Sequence, residues 1–90
     1  MQLEWDPQKA DQNLRLHGIS FLEAASVFFD PLSITFDDWE HSVSEQRWIT
    51  VGASLLGTVL VIAHTDRGDR IRIISARKAT RRERRIYEEG

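Results

Sequence analysis

Residues 46–76 read QRWITVGASLLGTVLVIAHTDRGDRIRIISA, and three runs within them, Gln46–Ala53, Thr58–Thr65 and Arg70–Ala76, are rich in β-branched residues. Leu55-Leu56-Gly57 separates the first two runs, and Asp66-Arg67-Gly68-Asp69 the last two. Such runs, punctuated by glycine-bearing turns, predict a three-stranded antiparallel meander. A shorter strand is expected before it over Leu32–Phe36, with Leu3–Trp5 as a further edge. Pairing Thr65 with Arg70 across the second turn sets His64 opposite Ile71 and Thr58 opposite Arg77 on one face of the sheet. Arg70 and Arg72 then share the other face with Val59, Val61 and Ile74. This register divides the arginines between two faces, and a one-residue bulge would reverse the assignment.

Upstream of the strands the signals are helical. Asp6 can cap free amides, and Pro7 at the first helical position sacrifices no hydrogen bond, so a helix is expected from there to about His17, where Gly18 stops it. Ser20-Phe21-Leu22-Glu23 has the form of a capping box and starts a second helix, to about Phe29. The apolar positions of that helix cover more than one face, which predicts a place between the sheet and the first helix. Asp30-Pro31 ends it. Downstream, Thr80-Arg81-Arg82-Glu83 is another capping box, and a terminal helix should begin near Arg81. The resulting order is β-α-α-β-β-β-β-α. It defines an α+β fold over residues 1–90, with an antiparallel sheet, two amino-terminal helices and one short carboxyl-terminal helix.

Ninety residues support one core, burying roughly 60% of the surface the unfolded chain exposes. There are no cysteines, so disulfides, thiol catalysis and thiolate metal sites are excluded. The opening Met1-Gln2-Leu3-Glu4-Trp5-Asp6 lacks a basic, apolar leader, and no segment approaches the ~18 apolar residues that span a bilayer. A cytoplasmic protein without a membrane partner is expected.

The formal net charge of −2 conceals a polarised chain. Eight of the twelve Lys and Arg residues fall between Arg70 and Arg85, against the single acid Glu83. Residues 1–46 hold nine acids and two bases. The basic end can therefore attract phosphate locally. Arg81 and Arg82 stand in the first turn of the last helix, where the dipole normally favours Asp or Glu. Free amides, dipole and two guanidiniums converging at one point make a candidate phosphate site; the alternative is a solvated charged helix docked by Ile86 and Tyr87.

Glu4-Trp5-Asp6-Pro7-Gln8-Lys9-Ala10, Asn13-Leu14-Arg15-Leu16-His17-Gly18-Ile19-Ser20-Phe21, Ala24-Ala25 and Val27-Phe28 before Asp30-Pro31, together with the stretch from His64 to Glu89, resemble the BrnT family of toxins. The resemblance covers nearly the whole chain. It implies a ribonuclease toxin of a type II toxin–antitoxin pair, with a fold related to the RelE-like α+β ribonucleases, whose cleavage of RNA inhibits translation. The implied partner is a BrnA-like antitoxin in a two-plus-two complex; operator DNA would be reached only through that antitoxin.

A metal-free ribonuclease can use the 2′-hydroxyl of RNA as nucleophile. It then needs a proton acceptor, a proton donor for the departing 5′-oxygen and cations on the phosphoryl oxygens. His64 is the natural proton carrier by its ordinary pKa of ~6.5, although a half-buried strand histidine reads the same way. Arg77 and Lys78, where the last strand meets the last helix, can clamp the scissile phosphate. Lys9, in the first turn of the first helix, is a further catalytic candidate. Arg70, Arg72, Arg81 and Arg82 are the candidate RNA-binding residues. Glu45 and Arg47 share a strand face, which allows a structural pair or, as the alternative, a general-base role for Glu45. His17, His41 and the scattered acids show no ligand spacing, so neither a metal nor another cofactor is expected. Trp39, in an acidic loop, is a candidate partner contact. Simple nucleic-acid binding, or an interaction with an acidic antitoxin segment, is the competing reading of the same basic end.

Overall fold

The structure is a computed structural model and describes residues 2–90. Its elements are β1 (Gln2–Glu4), α1 (Pro7–His17), α2 (Phe21–Ser26) continued by a 3₁₀ turn (Val27–Phe29), β2 (Ile34–Asp37), a second 3₁₀ turn (Trp39–His41), β3 (Arg47–Ala53), β4 (Val59–Arg67), β5 (Arg70–Lys78) and α3 (Arg81–Glu89). The order is the one expected from the sequence. The sheet runs β1-β5-β4-β3-β2, and all its pairs are antiparallel except β1 on β5, which is parallel. The expectation of a wholly antiparallel sheet is corrected at that three-residue edge.

The helix boundaries follow from local chemistry. Asp6 Oδ1 accepts from the Gln8 amide at 2.9 Å, and Gly18 takes φ 70°, so that its N–H returns to Leu14 O. Ser20 Oγ accepts from the Glu23 amide at 3.0 Å, but the second half of that expected capping box is missing. The Glu23 carboxylate instead accepts from Ser54 Oγ at 2.7 Å, joining the start of α2 to the β3–β4 turn. At α3 the box is complete: Glu83 N donates to Thr80 Oγ1 and Thr80 N donates to Glu83 Oε1.

Ile19, Phe21, Ala24 and Val27 pack against Leu60, Ile62, Ile73 and Ala76 on one face of the sheet. Each large side chain buried there stabilises the fold by about 1.5–3 kcal/mol. Both amino-terminal helices rest directly on β5, and α1 does not lie outside α2 as expected. A six-residue α2 is too short to cover the sheet alone. Gly52 lets the 3₁₀ turn approach β3, since a Cβ there would stand 2.8 Å from Ser33 Cβ and 3.0 Å from Val27 Cγ1.

Asn13 fastens α1 to the sheet. Its Nδ2 donates to Ile19 O at 2.9 Å and Ala76 O at 2.8 Å, while its Oδ1 accepts from Ala76 N at 3.0 Å. Because β1 pairs with β5 only from Arg70 to Arg72, this side chain replaces the absent neighbouring strand at Ala76.

The β4–β5 hairpin differs from the register expected. β4 extends two residues further, to Arg67, while β5 begins at Arg70 as expected, so the loop is Gly68-Asp69 alone. Gly68 has φ 65° and no non-glycine residue among the described residues has positive φ, the pattern of a two-residue loop with a glycine in its first place. Thr65 consequently faces Arg72 rather than Arg70. Further along, Ala63 pairs with Ser75 and His64 with Ile73, leaving Ile74 as the extra residue of a β-bulge. Past the bulge the alternation inverts. Ala76 joins Ile73 on the helix side, and Arg77, opposite Val61, joins Arg70 and Arg72 on the other side.

Candidate nucleic-acid interface and active site

The face turned away from α1 and α2 carries Glu4, Arg47, Thr65, Arg67, Arg70, Arg72 and, through the bulge, Arg77. Val51 and Val61 also point this way, yet they are only 4% and 5% exposed. α3 covers this part of the face, packing against β3 and gripping the end of β5. The remainder of the face is open and basic. Five guanidiniums there meet three carboxylates. Arg72 and Arg70 reach Glu4 at 2.6 and 3.6 Å, Arg47 and Arg67 approach Glu45 at 3.8 and 4.0 Å, and Arg77 meets Glu83 at 2.8 Å. An excess of positive charge is left for a phosphate backbone.

Arg77 binds Glu83 through both its terminal nitrogens, at 2.8 and 2.9 Å. These hydrogen bonds hold the Glu83 carboxyl down to about 2 and raise the Arg77 guanidinium further above its ordinary value. The same carboxylate caps α3, so one side chain orients both the helix and the arginine. At the far end of α3, Tyr87 donates to Asp30 Oδ2, which also accepts from Ala53 N at 2.8 Å. Burial alone would raise the Asp30 carboxyl, but the bonds from Tyr87, Ala53 and Leu32 outweigh it and hold it below its usual value.

His64 lies on the opposite, helix-facing side of the sheet, away from Arg70, Arg72 and also Arg77. The expected sharing of a face with Arg77 is therefore corrected, and the bulge is the reason. The ring is 4% exposed, stands edge-on to Phe28 at 4.9 Å and meets Thr50 Oγ1 through Nε2 at 2.7 Å. Burial pushes its pKa down to about 4, with Asp66 opposing. His64 is thus neutral near pH 7, and its enclosed ring is a poor partner for a proton on the arginine face. A stability effect follows. The unfolded chain takes up this proton near pH ~6.5 and the folded chain only near 4, so folding loses free energy as pH falls through that window. Urea unfolding at pH 7 and 4.5 should show a loss of about 2 kcal/mol in the wild type that is largely absent from His64→Gln.

The other expected residues are dispersed. Lys9 is exposed and borders a recess between α1 and the bulge, formed with Asn13, Leu16, His17, Ile74 and Ser75. Lys78 ends β5 and is exposed, as are Arg81 and Arg82 at the start of α3. The first-turn amide of Glu83 is already taken by Thr80, and the Glu83 carboxylate occupies the amide end of the helix, so the expected convergence on a phosphate there is reduced to the two exposed guanidiniums. Arg47 and Glu45 form the structural pair, at 3.8 Å. Trp39 is 77% exposed, while Trp5 packs edge-on against Phe21 at 6.1 Å. Glu4, Arg47 and Arg67 were missing from the expected site; the two-residue loop and its pairing bring them in. Among the described residues, no cluster of His, Cys, Asp or Glu could hold a metal ion, and no helix is long and apolar enough to cross a membrane.

A five-stranded sheet with helices on one face and a carboxyl-terminal helix across an arginine-lined second face defines a small α+β protein with a basic candidate nucleic-acid interface. The crystal structure of the Brucella abortus ribonuclease toxin, BrnT, superposes with a TM-score of 0.69, covering 90% of this chain and 99% of that chain at 19% identity. No curated protein sequence matches this chain. The family model for the ribonuclease toxin BrnT of type II toxin–antitoxin systems matches residues 5–83, and the chain belongs to that family. An antitoxin is accordingly its partner.

Proposed function

We propose that this chain is a metal-independent endoribonuclease, acting in the cytoplasm, that cleaves RNA and so inhibits translation. The observation that carries the reading is the bulge at Ile74, which gathers Arg70, Arg72 and Arg77 on one face. A phosphodiester lying across that face would have its non-bridging oxygens within a field of fixed guanidiniums. Arg77, held in place by Glu83, would then meet the charge that develops as the 2′-hydroxyl attacks phosphorus and the bond to the 5′-oxygen breaks, the 2′ proton passing to solvent and the departing 5′-oxygen taking one from it. Preorganised donors of this kind are commonly worth ~3–4 kcal/mol each in the transition state. Lys9 on α1 and Lys78, paired with Leu60, approach the same strand from its helix side, across the sheet from Arg77, while Arg81 and Arg82 extend the basic track for the flanking backbone. His64, neutral and enclosed, takes no part in proton transfer in this reading.

A BrnA-like antitoxin would neutralise the chain by direct binding in a two-plus-two complex and supply the contact with operator DNA. The test is incubation of the purified chain with a defined RNA in excess EDTA. Discrete fragments ending in 2′,3′-cyclic phosphate, suppressed by a stoichiometric amount of antitoxin, are expected. Intact RNA in EDTA with cleavage restored by a divalent cation would overturn metal independence.

A further inference from the structure

On the helix side of the sheet, a crevice of ≈ 280 Å³ is lined by Phe28, Thr35, Trp48, His64, Asp66 and Ile71. None of these residues belongs to the arginine face. Two aromatic rings, Phe28 and Trp48, supply walls. The Asp66 carboxylate is exposed, accepts from the Trp48 indole N–H at 3.3 Å, and makes no ion pair with a cation among the described residues. His64 is 4% exposed; its Nε2 is engaged by Thr50, whereas its Nδ1 is enclosed without any hydrogen-bond partner. Buried side-chain nitrogens are ordinarily paired, so an orphan one lining a crevice beside an available carboxylate points to a ligand that completes the set.

The chemistry of the lining narrows that ligand. Aromatic walls suit a flat heterocycle. An ionised carboxylate only accepts hydrogen bonds, so it favours an edge with two adjacent N–H donors. Among the RNA bases, guanine presents such an edge, with N1–H beside the N2 amino group. Adenine and cytosine each offer one amino group beside a ring acceptor, and the uracil N3–H is flanked by two carbonyls that repel a carboxylate. The location fits a nucleotide chain. Asp66 precedes Arg67, and Arg67 pairs with Arg70, so the crevice and the arginine face meet at the β4–β5 hairpin on opposite sides of the same strands.

We propose that this crevice is a guanine subsite for single-stranded RNA, in which Asp66 reads the N1/N2 edge, Phe28 and Trp48 enclose the ring, and His64 pairs with a remaining polar atom of the base. The inference rests on RNA being the substrate.

The test is a nuclear magnetic resonance titration of the full chain, following the Trp48 indole N–H resonance, assigned through Trp48→Phe. GMP should shift this resonance to saturation, while AMP, CMP and UMP should not. Asp66→Asn should weaken GMP binding at least tenfold, and Ile71→Trp, which fills the crevice beside its cross-strand partner Asp66, should abolish it. Gln12→Ala, exposed on α1, should leave it unchanged. An RNA tetramer with one guanine should displace GMP, and its adenine counterpart should not. No saturable shift, an equal response to all four nucleotides, or a wild-type response in Asp66→Asn would overturn the subsite. GMP binding without displacement by RNA would overturn its assignment to RNA and leave a free-nucleotide site. GMP binding in a chain that cleaves no RNA would defeat the proposed nuclease alone, and cleavage without any GMP response would defeat the subsite alone.

Discussion

Asn13→Ala should lower the unfolding free energy by about 2–4 kcal/mol, a fall in Tm of roughly 10–25 °C. The alanine removes three hydrogen bonds, two of which satisfy both backbone groups of Ala76 inside the core. Water has no ready access there, since Asn13 is 5% exposed and Ala76 fully buried. Stranded backbone groups cost more than the mean net value of a hydrogen bond, which is why the effect should exceed ordinary surface changes. Gln12→Ala, one residue away and exposed, should stay within about 0.5 kcal/mol. Thermal unfolding of the three proteins checks both statements.

Arg77→Ala should reduce RNA cleavage by about 10²–10³-fold, the usual range for one lost transition-state donor. Arg77 also anchors α3, so Glu83→Gln is the necessary comparison. That variant keeps the guanidinium on its face and should retain cleavage within about tenfold, while losing stability. The sign of the pH effect follows from the carboxyl being held down to about 2: the pair stabilises the fold above pH ~4.5 and ceases to do so as pH falls toward 2. Wild-type and Glu83→Gln stabilities, measured by urea unfolding, should therefore differ at pH 7 and converge in acid. Equal loss of cleavage in both variants would instead make Arg77 a support for α3 and remove it from the chemistry.

The element order, the caps of α1 and α3, and the meander were legible because each rests on local signals: Asp6-Pro7, Thr80 with Glu83, β-branched runs and glycine turns. The makeup of the site was less legible. Arg70, Arg72 and Arg77 were visible as residues, but their common face depends on Ile74 being skipped by the pairing of β4 and β5. Nothing in Ile73-Ile74-Ser75 distinguishes a regular strand from a bulged one. What favours the bulge is tertiary: Ile73 and Ala76 both enter the helix-side core, three positions apart, which a regular strand does not permit. The hairpin loop was overestimated for a related reason, since Asp66 and Arg67 look like turn residues until pairing with Ile71 and Arg70 extends the ladder. His64 was attractive by residue type alone; burial decided its state, and burial depends on Phe28 and Thr50 from other elements.

In the proposed function, RNA reacts on the face made by the bulge. The most direct measurement is single-turnover cleavage of one defined RNA in EDTA by the wild type, by Arg70→Ala/Arg72→Ala and by Arg84→Ala/Arg85→Ala, with melting curves to show that each is folded. The two double variants remove equal charge from different places. Loss of at least a hundredfold in the first, against a change of a few-fold in the second, is the expected result. Equal losses, or a greater loss from Arg84→Ala/Arg85→Ala, would contradict the account and move the reaction to α3 or to the net charge of the chain.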